Sequence, residues 1–293
     1  MLDVRRLRLL RDLARYGTIA AVAEALTYTP SAVSQQLAAL EREAGVPLLE
    51  RSGRRVTLTA AGSVLVEHAE TVFAALERAD AALAAARTGL VGPVRIGAFP
   101  TAVRTLLPGA LVALGRDHPG LELHVHELDP ADVPDALRTG QLDVALVHDY
   151  DFVPIEPDPA LDTEALLDET MYLATLGPTD LAGCCDEPWI VGSPGTLCHT
   201  VALRSCQAAG FTPRVRHHAD DFVTVLALVA AGQGVALVPQ LAAADPPPGV
   251  VLVPLPSRRR TRLAYRRGAR SHPLVTACVE AIRGSVASYR GLG

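Results

Sequence analysis

The chain has 293 residues, about half of them apolar, which is enough for two or three domains with cores of their own. Its net charge of −5 is unevenly spread, because residues 1–60 carry nine Arg and six acidic residues, whereas residues 91–293 carry sixteen Arg and twenty-two acidic residues. All 27 basic residues are Arg, which excludes enzymes that need a Lys for a Schiff base, a phosphate loop or a nucleophile pair. A basic N-terminal segment on an acidic body is typical of a nucleic-acid-binding module attached to another domain.

The beginning of the chain and its cysteine content predict a cytoplasmic protein. Arg interrupts each apolar run in the first seventeen residues and no small-residue cleavage site follows, so a signal peptide is not expected. The five Cys are then expected to be free thiols in a reducing compartment. The most apolar stretch, residues 222–244, is interrupted by Gly232, Gly234 and Pro239, which predicts a buried helix, a turn and a strand rather than a membrane span.

Three helices are predicted within the first sixty residues. The first ends at Gly17, and a short second helix begins at Thr18. A turn at Thr27-Tyr28 leads to a third helix that begins at Thr29-Pro30, because Thr is a preferred N-cap and Pro suits the first helical position. This helix ends at Gly45. Two helices joined by a turn of three or four residues predict a helix-turn-helix, whose second helix enters the major groove.

Short polar side chains on the third helix and arginines in the following segment are the predicted DNA contacts. Ser and Gln can reach base edges from the major groove, and Gln suits adenine. Residues 47–58 predict a two-stranded hairpin, or wing, with arginines at its tip that can bind phosphate or enter the minor groove. The predicted DNA-binding residues are Thr29, Pro30, Ser31, Ser34, Gln35, Arg51, Arg54 and Arg55.

A long helix is predicted from Thr59 to about residue 88. Apolar residues at positions 65, 69, 72, 76, 79 and 83 alternate spacings of four and three, as in the seam of a coiled coil. The stripe could instead pack on the chain's own body, but a dimer is favoured because a helix-turn-helix usually reads two half-sites. The predicted dimer contacts are Leu65, Val72, Leu76 and Leu83.

Residues 91–293 predict an α/β domain of two similar halves. Strands alternate with helices and the order repeats after residue 168, which predicts a doubly wound, mostly parallel sheet. Subdomain I is placed at about 91–167 and 268–293, and subdomain II at about 168–267. Ligands on such sheets bind at strand carboxyl ends and at helix N-termini, where free N–H groups accept anions. The predicted contacts, for each of which a simple helix cap is the alternative, are Pro100, Thr101, Asp129, His148, Ser193, Thr196, Leu197, Asp220 and Phe222.

Several segments resemble the LysR-type transcriptional regulators. The run TIAAVAEALTYTPSAVSQQLAALEREAGVPLLERSGRRVTLTAAG, residues 18–62, is similar to the DNA-binding domain of that family. Ala20 departs from it, because the family usually has Ser or Thr there, so one phosphate contact is expected to be missing. Residues 142–146 and 228–239 are similar to the family's effector domain.

The resemblance implies a sequence-specific DNA-binding regulator that is controlled by a small-molecule effector. It implies a winged helix-turn-helix, a linker helix that forms a dimer commonly assembled into a tetramer, and an α/β effector domain of the periplasmic-binding-protein type. The effector, expected to be anionic or polar, would bind between the two subdomains, near Pro100-Thr101 and residues 193–197. The three parts are predicted at residues 1–60, 61–90 and 91–293.

Thiol-based redox sensing is the main alternative function. Cys198 and Cys206 lie close to the positions at which a peroxide-sensing branch of the family has its reactive pair. Seven residues separate them here, and the predicted helix over 196–209 would hold them about 12 Å apart along its axis. A disulfide needs Cα atoms within about 7 Å, so this helix would have to unfold. Cys184-Cys185 is a weaker candidate.

Metal binding and catalysis are the remaining alternatives. His217 and His218 are adjacent to two Asp, but neighbouring residues of a strand point to opposite faces and do not easily share one ion. No zinc-protease or serine-hydrolase motif is present, and the Gly-x-Gly at 232–234 lacks the third glycine of a dinucleotide fingerprint. Neither a cofactor nor an enzyme is therefore predicted. The Arg-rich run 258–262 is expected to be a solvated strand edge.

Overall fold

The computed structural model of the chain describes residues 1–52, 55–87, 89–154 and 156–290. It divides into two compact units, residues 1–79 and residues 80–293. In the part of the chain that is described, none of the helices combines the length and the apolar character that crossing a membrane requires.

Unit 1–79 is built from short helices and a hairpin around one apolar core. Leu10, Leu37 and Leu40 lie at the centre of this core and are almost fully buried. The predicted caps form, because the Oγ1 atom of Thr18 accepts the Ala21 N–H and that of Thr29 accepts the Ala32 N–H. The elements are α1 (Val4–Tyr16), α2 (Ile19–Ala25), α3 (Pro30–Ala44), β1 (Leu49–Ser52), β2 (Arg55–Leu58) and α4 (Ala60–Ala85), which continues beyond residue 79.

The turn between α2 and α3 contains a strained residue. Thr27 has a φ of +59°, and among the described residues it is the one non-glycine with a positive φ. For an L-residue with a Cβ this left-handed conformation costs about 1–2 kcal/mol. The turn is closed by the N–H of Tyr28, which donates to the Ala23 carbonyl over 2.8 Å. The tight connection between the two helices therefore depends on Thr27 in a conformation that glycine would adopt with less strain.

Helix α4 begins where the sequence predicts and ends at Ala85, about three residues early. Thr59 Oγ1 accepts the N–H of Gly62 and donates to the Pro47 carbonyl, which joins the helix start to the segment before the hairpin. Gly62 is required at its position, because a Cβ there would lie 2.2 Å from the Leu48 carbonyl oxygen.

The apolar stripe of α4 is divided between two surroundings. Leu65 and Ala69 pack on the core of unit 1–79, so the alternative of packing on the chain's own body holds for the first turns. Val72 and Leu76 are about 40% exposed and Leu83 is 71% exposed. Val64 is exposed as well, but it lies about 80–120° around the helix from these three residues and so outside the stripe.

Unit 80–293 contains a six-stranded sheet in the order β4-β3-β5-β10-β6-β9 and a two-stranded sheet of β7 and β8. Its strands are β3 (Gly92–Ala98), β4 (Leu121–Glu127), β5 (Val144–Tyr150), β6 (Leu161–Thr175), β7 (Pro188–Val191), β8 (Arg214–His218), β9 (Ala236–Pro239) and β10 (Val251–Arg266). Its helices are α5 (Pro100–Thr105), α6 (Leu107–Asp117), α7 (Val133–Arg138), α8 (Leu197–Ala208), α9 (Phe222–Ala230) and α10 (Pro273–Arg290).

The prediction of a mostly parallel sheet is wrong for its centre. Strand β3 is parallel to β4 and β5, but β10 is antiparallel to both β5 and β6, and β9 is antiparallel to β6. The sequence interpretation began the β6 strand at residue 170 rather than at Leu161, and it took residues 258–262 for a solvated edge. The Arg-rich run instead lies in the middle of the sheet, because acidic residues on the neighbouring strands neutralise it, as in the pair Arg258–Asp168 at 3.1 Å.

The two long strands pass through two lobes. The first part of β6 and the last part of β10 contribute Leu167 and Leu263 to a core with α5, α6 and α10, here called lobe I. The opposite parts contribute Met171 and Val253 to a core with α8 and β7, in lobe II. The chain therefore changes lobe inside β6 near residue 169 and inside β10 near residue 257. The sequence interpretation placed the second boundary about ten residues later, at 267.

Candidate DNA interface and effector cavity

The outer face of α3 carries the predicted DNA-contacting side chains. Pro30 is the first helical residue, and the hydroxyls of Thr29 and Ser31 lie 3.1 Å apart at this end. Ser31 and Gln35 are exposed and Ser34 is half-buried. Side chains of this length, on the N-terminal half of the second helix of a helix-turn-helix, can reach base edges.

Two consecutive glutamines on α3 have different roles. The Gln36 side chain accepts a hydrogen bond from Arg6 Nε over 2.9 Å, and Arg6 also pairs with Glu43. These contacts hold α1 against α3. Among the described residues the Gln35 side chain has no hydrogen-bond partner, and it is exposed. Gln35 is therefore the glutamine of the two whose side chain is available to contact DNA.

The predicted wing is an antiparallel hairpin. Leu49 on β1 is paired with Leu58 on β2 at the base of the hairpin, and Arg51 lies opposite Val56. Arg54 lies outside the described residues, and the side chains of Arg51 and Arg55 are likewise not part of the description. The backbone thus places Arg51 and Arg55 on the two strands of the hairpin, while the predicted roles of all three arginines stay predictions.

A cavity of about 320 Å³ lies in unit 80–293, where lobe I and lobe II meet. Eight of the nine side chains predicted to contact a ligand line it, although they come from distant parts of the sequence. The sequence interpretation missed the other lining residues, apart from Cys198, which it considered for redox chemistry. The full lining is Phe99, Pro100, Thr101, Glu127, Leu128, Asp129, Pro130, His148, Thr196, Leu197, Cys198, Asp220, Phe222 and Arg259.

Ser193 is the one predicted contact that does not line the cavity. Its N–H and its hydroxyl both donate to the Asp220 carboxylate, over 2.7 and 2.6 Å. Thr196 caps α8 by accepting the His199 N–H, and its hydroxyl is 2.8 Å from the Ser193 carbonyl. Ser193 therefore positions a lining carboxylate and the start of a lining helix.

His148 is a buried titratable group in the cavity wall. It is 4% exposed, and its ring packs edge-on against Phe99 and Tyr150, with centroid distances of 4.5 and 5.2 Å. Neither ring nitrogen has a hydrogen-bond partner among the described residues. Burial, with a smaller contribution from the Arg259 cation, holds the pKa of His148 well below its usual range. The ring is therefore neutral at physiological pH and offers one donor and one acceptor.

The cation of the cavity, Arg259, is bound to a buried carboxylate. Its Nε and Nη2 donate to the two oxygens of Glu169 over 2.8 and 2.9 Å, and both side chains are 1% exposed. Glu169 also accepts hydrogen bonds from the Leu241 N–H and the Thr261 hydroxyl. Nη2 of Arg259 further donates to Thr101 over 3.2 Å. The bidentate pair fixes the guanidinium close to the point at which β6 and β10 change lobe.

Cys198 lines the cavity, with its Sγ 3.5 Å from the Tyr150 hydroxyl. Burial raises the pKa of the Cys198 thiol, and burial raises that of Cys206 to about 12. Helix α8 is continuous over both residues, and Cys206 lies fully buried in the lobe II core. The cavity therefore contains the protonated thiol of Cys198. Cys206, its candidate disulfide partner, lies instead in the core of lobe II.

Of the two histidines considered for a metal site, His218 contacts a backbone carbonyl, together with His199, and His217 does not. His199 and His218 each place Nδ1 about 3 Å from the same carbonyl oxygen, that of Gly192, and their rings stack. His217 precedes His218 on β8, and its Nε2 is buried without a partner among the described residues. Within the described ranges, no three His, Cys, Asp or Glu side chains are grouped to hold an ion.

A winged helix-turn-helix, a long helix and a two-lobed α/β unit with a cavity between its lobes define a ligand-responsive DNA-binding regulator. The family model described as bacterial regulatory helix-turn-helix protein, lysR family, matches residues 4–63. The model described as LysR substrate binding domain matches residues 87–287. The chain belongs to the LysR family and is a DNA-binding transcriptional regulator with an effector-binding domain. Regulators of this family bind DNA and small-molecule effectors and form oligomers.

Individual relatives span nearly the whole chain. The DNA-binding transcriptional dual regulator OxyR of Escherichia coli K12 is 31% identical over 300 residues, covering 96% of this chain and 95% of its own. A cysteine mutant of OxyR from Corynebacterium glutamicum has a similar structure, with a TM-score of 0.59, 25% identity and coverage of 100% and 94%. CbnR in complex with its target DNA gives a TM-score of 0.54, 25% identity and coverage of 97% and 100%.

Proposed function

We propose that this regulator changes its action on DNA when a small molecule occupies the cavity between lobes I and II. The observation that carries the proposal is His148, a buried cavity residue whose two ring nitrogens have no partner among the described residues. Leaving a buried polar group unpaired is costly, so such a residue is best explained by a group that enters the cavity. The residues proposed to contact the effector are those that line the cavity.

Replacing Leu197 by Trp tests this proposal. The larger ring would fill part of the cavity from the start of α8. In cells that carry a reporter under the promoter of the chain's own gene, we expect the variant to lose the response to metabolites that switch the natural protein. Val112→Trp adds the same side chain at an exposed site on α6 and is expected to keep the response. A full response from the Leu197 variant would contradict the proposal.

DNA recognition is proposed for the exposed face of α3 and the arginines of the wing. Gln35→Ala should reduce the preference for the promoter over a scrambled duplex, with a loss of about 1–3 kcal/mol per base contact. Gln36→Ala is the matched comparison, because Gln36 is bound to Arg6 and should affect both duplexes equally. Fluorescence anisotropy at several salt concentrations measures both affinities. Unchanged preference in the Gln35 variant would exclude this glutamine as a base contact.

A dimer is proposed to form through the exposed stripe of α4. Val72, Leu76 and Leu83 are exposed apolar residues at spacings of four and seven, which place them on one face of the helix. A second copy of the same stripe would bury them, as the seam of a coiled coil does. Leu65 was predicted to lie in this interface, but it packs on the core of its own chain, so we expect it to contribute little to the dimer.

Thiol oxidation is the second candidate function. It is favoured by the position of Cys198 in the cavity and by the relatives, since one, from Escherichia coli O157:H7, is named a hydrogen peroxide-inducible genes activator. Against it stand the raised pKa of the thiol and the intact helix between Cys198 and Cys206, because the thiolate is the reactive form. We expect the double variant Cys198→Ser, Cys206→Ser to respond normally. If peroxide alone switches the natural protein and the double variant is unresponsive, redox sensing is the function.

Two coarser features complete the proposal. The relatives are transcriptional regulators, and we expect this chain to act by binding rather than by catalysis. Because its target is chromosomal DNA, we expect it to work in the cytoplasm.

A further inference from the structure

The charges around the cavity indicate what kind of effector it accepts. Three carboxylates, those of Glu127, Asp129 and Asp220, line the cavity. Glu127 and Asp220 are exposed and Asp129 is half-buried, so they form the solvent side of the wall. A carboxylate or phosphate that enters the cavity would pass these like charges.

Arg259, the one cationic side chain in the described lining, does not neutralise these three carboxylates. Arg259 forms a bidentate pair with Glu169, which is locked in place by the Leu241 N–H and the Thr261 hydroxyl. An anionic ligand would have to compete with this fixed carboxylate for the guanidinium. Arg104, at the end of α5, is also paired, 3.8 Å from Asp221. The described lining residues therefore supply no uncompensated positive side chain.

The groups available for recognition are neutral. His148 offers one donor and one acceptor, and burial together with the nearby Arg259 cation opposes a positive charge on its ring. The start of α8 adds the N–H groups of Leu197 and Cys198, which have no partner within the helix. Such groups accept anions and can equally bind a carbonyl oxygen, so the three carboxylates of the wall decide between the two. The side walls are apolar and aromatic, with Phe99 and Phe222.

We propose that the effector of this regulator is a small uncharged molecule with both a carbonyl-type acceptor and an N–H or O–H donor, such as an amide, a lactam or a neutral heterocycle. The assignment rests on the proposed effector function of the same cavity. Of the two kinds of metabolite expected from the sequence, anionic and polar, it selects the polar one. His148 and the Arg259–Glu169 pair are the residues that determine this selectivity.

Three probes of one shape and different charge test the proposal on the full chain: benzamide, benzoate and benzamidinium. Binding is measured by saturation-transfer NMR and by titration calorimetry at pH 7.5. We expect benzamide to bind with a Kd at least about tenfold lower than that of benzoate and below that of benzamidinium. The expected binding is lost in the cavity-filling variant Leu197→Trp and kept in Val112→Trp.

Two substitutions examine the charge argument itself. Asp129→Asn keeps an oxygen that can accept the Ala131 N–H, and it should strengthen benzoate binding by about twofold to fivefold while leaving benzamide unchanged. Glu169→Gln would release the Arg259 charge and should reverse the preference in favour of benzoate. Because removing a partner of a buried ion pair can unfold the protein, the conclusion rests on the natural chain and the Asp129 variant.

The possible outcomes separate the ligand class from the proposed function. If benzoate or benzamidinium binds at least as tightly as benzamide and the Leu197 variant abolishes that binding, the cavity is a ligand site but the uncharged class is wrong. If no probe binds the natural chain, the uncharged class is also wrong, because the described groups then do not suffice to hold a neutral donor–acceptor molecule. If the probes bind equally well to the Leu197 variant, the cavity is not the binding site and the effector function proposed for it fails as well.

Discussion

Replacing His148 by Phe should stabilise this protein while removing its response to the effector. The imidazole makes no hydrogen bond to a described residue, so the substitution breaks none of these. Each buried group left unpaired costs about 1–3 kcal/mol, whereas the slightly larger ring costs up to about 1 kcal/mol of overpacking. Phe also keeps the edge-on contacts with Phe99 and Tyr150. The net expectation at pH 7.5 is a gain of about 1–2 kcal/mol in the free energy of unfolding.

The gain should grow on acidification. The pKa of His148 is well below its usual range in the folded protein, whereas in the unfolded chain it is near the ordinary value of about 6.5. Below that pH the unfolded chain binds a proton that the folded protein does not, so the natural protein loses stability as the pH falls. The loss from this residue is about 1.4 kcal/mol per pH unit between about pH 6.5 and the folded pKa. The Phe variant has no titrating group at this position, so it does not lose stability in this way.

Urea unfolding of the full chain at pH 7.5, 6.5 and 5.5 measures both effects. His126→Phe is the control, because His126 is exposed on β4 and its replacement should change stability by no more than about 0.5 kcal/mol. Parallel pH profiles for the natural protein and the His148 variant would refute the burial argument. A His148 variant that is less stable at pH 7.5 would show that the imidazole already has a partner.

Three other substitutions test the N-terminal unit and α4. Thr27→Gly should stabilise the protein by about 0.5–1 kcal/mol in urea unfolding, because relief of the left-handed strain exceeds the added freedom of the unfolded chain; an unchanged midpoint would show that Thr27 is not strained. Gly62→Ala should destabilise it by about 1–3 kcal/mol, since the new Cβ would meet the Leu48 carbonyl, and normal stability would contradict that close approach. Leu76→Glu should give a smaller species in analytical ultracentrifugation and weaker DNA binding, whereas Arg78→Glu, two residues along the helix, should not; equal masses would place the dimer interface elsewhere.

The local chemistry of the sequence predicted the helix starts and ends well. Thr18, Thr29 and Thr59 cap their helices, and Gly17 and Gly45 end theirs in the left-handed conformation. These are interactions within a few residues of the chain, which is why they can be read without knowledge of the fold. The glycines that interrupt the apolar stretch at 232–234 were likewise correctly predicted to form a turn between a helix and a strand, which are α9 and β9.

The long-range features could not be predicted in the same way. The Arg-rich strand β10 looks like a solvated edge until its neighbours are known, because its charges are neutralised by residues about a hundred positions away. The cavity lining was found through the ends of strands and the starts of helices, which the rules for α/β sheets identify. Arg259 was missed because it reaches the cavity from the middle of a strand. Arg259 lies opposite Glu169 in the strand register, and the sequence alone does not reveal that pairing.

The two lobes are joined by β6 and β10, which are hydrogen-bonded to each other along most of their length. A flexible loop between the lobes would let them separate by a hinge motion. Two hydrogen-bonded strands resist that separation and permit mainly a change in their twist. Most of lobe II is one continuous piece of the chain, from about residue 169 to 257, on whose core Tyr150 and Val153 also pack. The two ends of this piece lie side by side, because Glu169 is paired with Arg259. The chain therefore passes between lobe I and lobe II through two paired strands. If a ligand in the cavity changes the angle between the lobes, β6 and β10 must twist together, so the stiffness of this strand pair would limit the change.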